Sequence, residues 1–261
     1  MKKFLPFLLA SGLILSAQEQ PETAPAEAKE VPGYFEDLNS LSDEQKLKYQ
    51  ELFKRCDQLF GQRRIFECLE AIHEIHKIYD GHPSTINLEG ACYVEFRSFD
   101  KARMAFERAM KVQPENFNVR FNLAEIEFVT ENWAKALEQL TKLEEESSGD
   151  PKLASMNALV KFKMLLCMLK TGDLDGAKAI LEKADFLDDS PLYYFGNAAM
   201  AYYADQGSEA ETWLARAARI FRKPAMIAPW QDTLIEFGYI KSFYGGDLEV
   251  ESGPPTVSPE E

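Results

Sequence analysis

Histidine is scarce in this chain, with three copies in 261 residues, and the four cysteines (56, 68, 92 and 167) show neither a CxxC pair nor zinc-type spacing. A nucleophile elbow, a phosphate-cradling glycine-rich loop and a paired-carboxylate cleft are missing as well, so no catalytic residue, metal site or cofactor is expected. Positive charge is in deficit, with 29 Lys and Arg against 43 Asp and Glu and a formal net charge of −14. A chain of that sign repels phosphate backbones and anionic lipid, which argues against nucleic-acid and peripheral-membrane roles. Period-two alternation is also missing, which leaves no convincing β-strand.

What is present begins with an apolar N-terminus. "MKKFLPFLLASGLILSAQEQ" has Lys2 and Lys3 as a basic start, an apolar stretch from Phe4 to Leu15 and a small-residue exit at Ser16-Ala17. This reads as a secretory signal peptide over 1–17, because the stretch falls short of the roughly 20 residues a bilayer span needs. An uncleaved anchor is the alternative. Cleavage would place the protein in a bacterial periplasm or beyond it. Residues 18–40 are rich in Pro, Ala and Glu and read as a disordered spacer whose end Tyr34, Phe35 and Leu38 could pin to the folded part. Residues 245–261 read as a disordered acidic tail.

Between these ends, over 41–244, the periodicity is helical. "SDEQ" from Ser42 is a capping box. The interruptions are short: Gly61, "DGHPS", Pro114, "SSGDP", "TGD", "DDSP" and Gly207. They recur because the sequence repeats. Phe99 and Trp133 lie 34 residues apart, as do Ala102 and Ala136, Gly90 and Ala124, and Phe106 and Leu140. The offset extends to Leu174, Ala177, Leu181 and Ala184, then to Ala210, Leu214 and Ala217, and weakly back to Phe53, Phe60 and Phe66.

On these residues the chain resembles the tetratricopeptide repeat family. The pattern is met at Ile86, Gly90, Tyr93, Phe99, Ala102, Phe106, Ala109 and Pro114, and again at Leu123, Ala124, Trp133, Ala136 and Leu140, with Glu127 where an aromatic is expected. In the first unit Asp57 and Leu69 stand where small residues are usual. The resemblance implies an all-α fold, a right-handed α-solenoid of about five helical hairpins. A last helix, Ala228 to Tyr244, would cap it by placing Trp230, Leu234, Phe237 and Ile240 against the final pair. It also implies a concave groove lined by the first helix of each pair. The groove-facing residues would be Asn87, Ala91 and Val94; then Phe121, Glu125 and Phe128; then Phe162, Leu166 and Leu169; and finally Phe195, Ala199 and Tyr202. Lys54 and Gln58 alone echo the clamp with which some members grip a terminal carboxylate, and Leu88, Asn118 and Asn122 supply no further cation.

The resulting expectation is an exported adaptor or scaffold whose groove binds a peptide or amphipathic helix of an envelope partner. In the other reading, superhelical curvature, the Ala228 helix or the spacer already covers the apolar stripe. A structural, self-associating subunit, with a homo-oligomer as its form, is the rival from a different class. A metal enzyme is the remote third, resting on Glu70, His73 and His76 at helical spacing, where packing is the plainer role. Cys56 and Cys68 lie on facing helices of the first unit, where export would permit a disulfide, and buried free thiols are the plainer state.

Overall fold

The capping box opens the repeat region: the Ser42 hydroxyl accepts the Gln45 N–H at 3.3 Å, and the Gln45 side chain accepts the Ser42 N–H at 3.0 Å. The computed structural model describes residues 33–240, and its described residues contain helices and no strand. α1 (Gly33–Ser40) comes first. Five helical hairpins follow: α2 (Asp43–Gly61) with α3 (Ile65–His76), α4 (Pro83–Glu95) with α5 (Phe99–Val112), α6 (Phe117–Val129) with α7 (Trp133–Ser147), α8 (Ala154–Thr171) with α9 (Leu174–Glu182), and α10 (Leu192–Tyr203) with α11 (Gly207–Ile220). α12 (Pro224–Glu236) is last. The signal segment, most of the spacer and the acidic tail lie outside the described residues.

All five hairpin turns close in the same way. One residue after each first helix takes the left-handed conformation: Arg63 (φ 62°), Arg97 (54°), Glu131 (64°), Gly172 (85°) and Asp205 (58°). The next N–H then reaches back to the last turn of the helix: Arg64 to Leu59, Ser98 to Tyr93, Asn132 to Glu127, Asp173 to Met168 and Gln206 to Ala201. This Schellman closure satisfies carbonyls that a helix end leaves unpaired. Arg63, Arg97 and Glu131 are 34 residues apart, so the side-chain period is also a backbone period.

Helix crossings use the small residues. Ala102, Ala124, Ala136, Ala177, Ala198 and Ala210 are all fully buried. The Phe106 ring lies so close to Gly90 that any Cβ there would run into it. In the first unit the crossing is one residue earlier than expected. Cys56 and Cys68, not Asp57 and Leu69, are the fully buried pair, each 34 residues before Gly90 and Ala102. A free thiol is small and apolar enough for that position. All four cysteines are free and buried; the Cys68 Sγ lies 3.3 Å from the Cys56 carbonyl oxygen and 3.5 Å from the Cys92 Sγ.

Two further expectations shift. Residues 33–40, assigned to the spacer, form α1, which buries Tyr34 with its ring edge-on to His82 at 5.4 Å. Leu38 packs on the first core cluster, but Phe35 is exposed. The last helix starts and stops early. Pro224 begins it in the first turn, where a missing N–H is tolerated, and Gly238 at φ 86° ends it with the same Schellman bond, Tyr239 N–H to Leu234. Two large core clusters, one spanning α2 to α6 and the other α6 to α12, are accompanied by a small third at the α10–α11 crossing, built on Ala198, Ala201 and Ala210.

Candidate functional site

The first helices α6, α8 and α10 turn Phe128, Phe162 and Phe195 toward α12. Trp230 sits between rings from two repeats, 5.2 Å from Phe162 and 5.8 Å from Phe195. Seven residues on, Phe237 meets Phe128 at 6.1 Å and Trp133 at 5.3 Å, with the Lys170 ammonium 4.7 Å over its ring. Tyr239 stacks on Tyr202 at 5.3 Å. Burying aromatic rings of this size contributes roughly 2–3 kcal/mol each. α12 therefore packs on the final pair as expected, through Phe195 and Tyr202 of α10, and extends past it along the wall of first helices to Phe162 of α8 and Phe128 of α6.

Beneath α12 is a charge cluster. Lys163, 2% exposed, places Nζ 3.0 Å from Glu125, 3.6 Å from Glu236 of α12 and 4.4 Å over the Phe128 ring. Burial works against its ammonium, yet attraction from Glu125 and Glu236 outweighs that and holds its pKa up. Burial pushes Glu125 and Glu236 above the usual carboxylate range, with Lys163 only partly opposing the shift; Cys167 is a further neighbour of this cluster. Asp232, one turn earlier on α12, is pushed up to about 6 by burial, against Arg63 and Lys163. Its Oδ2 is buried with no hydrogen-bond partner among the described residues. Glu95 of α4 also faces Asp232, and Glu95 pairs with Arg63 at 2.6 Å. Carboxylates therefore outnumber the buried cation under α12, and a buried charge without a full partner is costly.

A second hollow, about 750 Å³, lies between the α7–α8 and α9–α10 connections. Within it Asn157 donates to the Glu144 carbonyl and Ser147 Oγ, and the Lys161 ammonium lies 3.4 Å from Glu144. The helical trio of Glu70, His73 and His76 does not converge, and no metal-sized group of such ligands occurs among the described residues.

A family model for the tetratricopeptide repeat matches residues 93–160, and the hairpins on both sides share its turns and crossings. Over residues 93–160 the chain matches the tetratricopeptide repeat, and the described residues as a whole have the all-α solenoid fold of that repeat. Its fold is similar to that of MamA from Desulfovibrio magneticus RS-1, residue 41 to the end, at 15% identity and TM-score 0.54, over 70% of this chain and 98% of that one. It is also similar to PilF of Pseudomonas aeruginosa at 13% identity and TM-score 0.53, over 75% and 94%. Among curated proteins, none matches the chain.

In this tetratricopeptide solenoid most residues expected to face the groove are not open. Ala91, Val94, Phe121, Glu125, Phe128, Phe162, Leu166, Leu169, Phe195 and Ala199 are buried; only Asn87 and Tyr202 keep partial exposure. One cause is helical geometry. Val94, Phe128 and Leu169 lie four residues after a crossing residue, so they share its packed face. The other is α12, which covers Phe128, Phe162 and Phe195. Asn87 instead accepts a 2.9 Å hydrogen bond from Asn122. Sequence reasoning passed over Lys163, Asp232 and Glu236. The available signal was two lysines, 161 and 163, in the otherwise apolar run "ALVKFKMLLCML", and acids at 232 and 236 interleaved with Trp230, Leu234 and Phe237.

Proposed function

We propose that this chain is a non-catalytic, exported interaction scaffold that holds a helical segment of an envelope partner along the inner wall of its repeats. The observation that carries this reading is that the wall already holds a helix, seated by two aromatics and a carboxylate. Tetratricopeptide solenoids present such a wall, and an apolar wall of this size is stable only when covered. The test is a photo-crosslinking amino acid at position 202 or 87, the two partly open wall positions, in the full chain in cells. Repeated capture of one envelope protein supports the reading; capture at neither position removes it. Sequencing the mature N-terminus tests export directly, with a start at Gln18 expected.

The rival reading, stacking through open ends, is favoured by the first hairpin, where Leu47 and Phe66 are exposed. The last hairpin is more mixed: α11 exposes Glu211, Arg216 and Arg219 beside Ile220. Concentration-dependent sedimentation abolished by Phe66→Glu would favour that rival.

A further inference from the structure

The covering helix carries features that a permanent core helix would lack. Pro229 lies inside α12 and cannot donate to the carbonyl four residues back. Asp232 brings a buried, unpartnered oxygen into a site that already holds an excess of carboxylate. Phe221 is held in the core 6.1 Å from the Tyr194 ring, so α11 stays anchored, and only the exposed Arg222 and Lys223 join it to α12. The wall below it keeps its own packing: α8 is buried among α7, α9 and α10 as well as under α12.

We propose that α12 is a releasable latch on the partner site, and that the partner helix which replaces it carries the same recognition pattern. That pattern is two aromatics seven residues apart, as in Trp230 and Phe237, with a carboxylate just before the second, as in Glu236, to meet the buried Lys163 ammonium. It carries a neutral residue where α12 has Asp232, because the Asp232 Oδ2 finds no hydrogen-bond donor among the described residues. This rests on the scaffold reading above and names the chemistry of its ligand. Because α12 occupies the site, the apparent affinity for any partner helix is reduced by the fraction of chains in which the latch is open.

The probe is a fluorescently labelled synthetic peptide of residues 224–240, titrated against the full mature chain by anisotropy. Trp230→Ala or Phe237→Ala in the protein weakens the latch and leaves the wall intact, so peptide affinity should rise at least about tenfold over wild type. Within the peptide, Asp232→Asn should bind more tightly than the native sequence, and Glu236→Lys should not bind. Equal affinity across the protein variants, or across the peptides, overturns the proposal. Circular dichroism reports whether each variant keeps its helices. Should neither variant fold, hydrogen exchange on the wild-type chain decides: α12 amides exchanging well before those of α8 support the latch, and equal protection of the two overturns it. Peptide binding in this order without crosslinked partners in cells would keep the latch and remove the scaffold reading. Crosslinks at position 202 without this order would do the reverse.

Discussion

The two halves of the solenoid share a repeat and differ in what their first helices turn inward. In the N-terminal half the partly open wall is polar, with the Asn87–Asn122 amide pair, the Arg63–Glu95 ion pair and exposed Asp57. Nothing needs to cover it. In the C-terminal half the same helical positions carry Phe128, Phe162, Phe195 and Leu166, and α12 lies over that half. A common fold therefore places no demand on what binds; the side chains on one face of each first helix set it. α8 illustrates the limit of this, since a helix that is apolar nearly all round must be covered on every side.

The largest effect expected from disturbing this contrast is at Lys163. Lys163→Met removes the buried cation beneath α12 and leaves Glu125 and Glu236 without it, which should destabilise the C-terminal half by about 3 kcal/mol. Hydrogen exchange should show the loss in α6, α8 and α12 while α2 and α3 are unchanged. Adding Glu125→Gln and Glu236→Gln should restore most of it. If protection falls equally in both halves, the two are one cooperative unit and the contrast is broken.

Next comes a test of the crossings in the N-terminal half. Gly90→Ala puts a methyl group into the Phe106 ring and should cost about 1–3 kcal/mol, measured by urea denaturation. Gly61→Ala, at a helix end with nothing near the added carbon, should instead be neutral or stabilise by about 0.5 kcal/mol.

Acid should act on α12 and on the ion pairs of α6 in opposite directions. The native pKa of Asp232, about 6, exceeds the ordinary value of 3.8. Between those values the folded chain holds a proton that the unfolded chain has lost. Its contribution is thus complete below pH 3.8 and gone above pH 6, so α12 should dock more firmly as pH falls from 7 to 5. Glu236, raised by burial, acts in the same sense. Glu127 runs the other way: burial raises its pKa, but hydrogen bonds from Arg103, Lys135 and Asn132 outweigh that and lower it. Its contribution is present above the ordinary value of 4.5 and is lost as pH falls through its depressed native value. Exchange protection, corrected for intrinsic rates, should therefore rise in α12 and later fall around α6 on acidification. Asp232→Asn should flatten the first trend.

The smallest effect concerns the turns. Glu131 adopts a conformation that glycine takes freely, so Glu131→Gly should stabilise by about 0.5–1 kcal/mol in thermal unfolding. No change would mean that the turn itself holds the strain.

Much of the fold was legible because its signals are local and repeated. Small residues at a fixed interval can serve one purpose, close helix contact, and Ala102, Ala136 and Ala177 all serve it. The error in the first unit was one of chemistry: Asp57 and Leu69 drew attention away from Cys56 and Cys68, which pack as small apolar groups. The inner wall was legible as an apolar stripe but not as an occupied one. Glu125 was placed on the wall, yet its partner Lys163 and the overlying Glu236 come from other helices.

What the chain determined by itself was the hairpin: its length, its turns and the residues at which two helices touch, since each depends on neighbours within about 34 positions. Only the tertiary structure decided which part of the wall is open. Covering it required Phe237 to reach Phe128 and Trp230 to reach Phe162, contacts across some three repeats of chain. Burial of an apolar face has no direction or address, so any helix of suitable shape can satisfy it, and only the folded arrangement shows which one does.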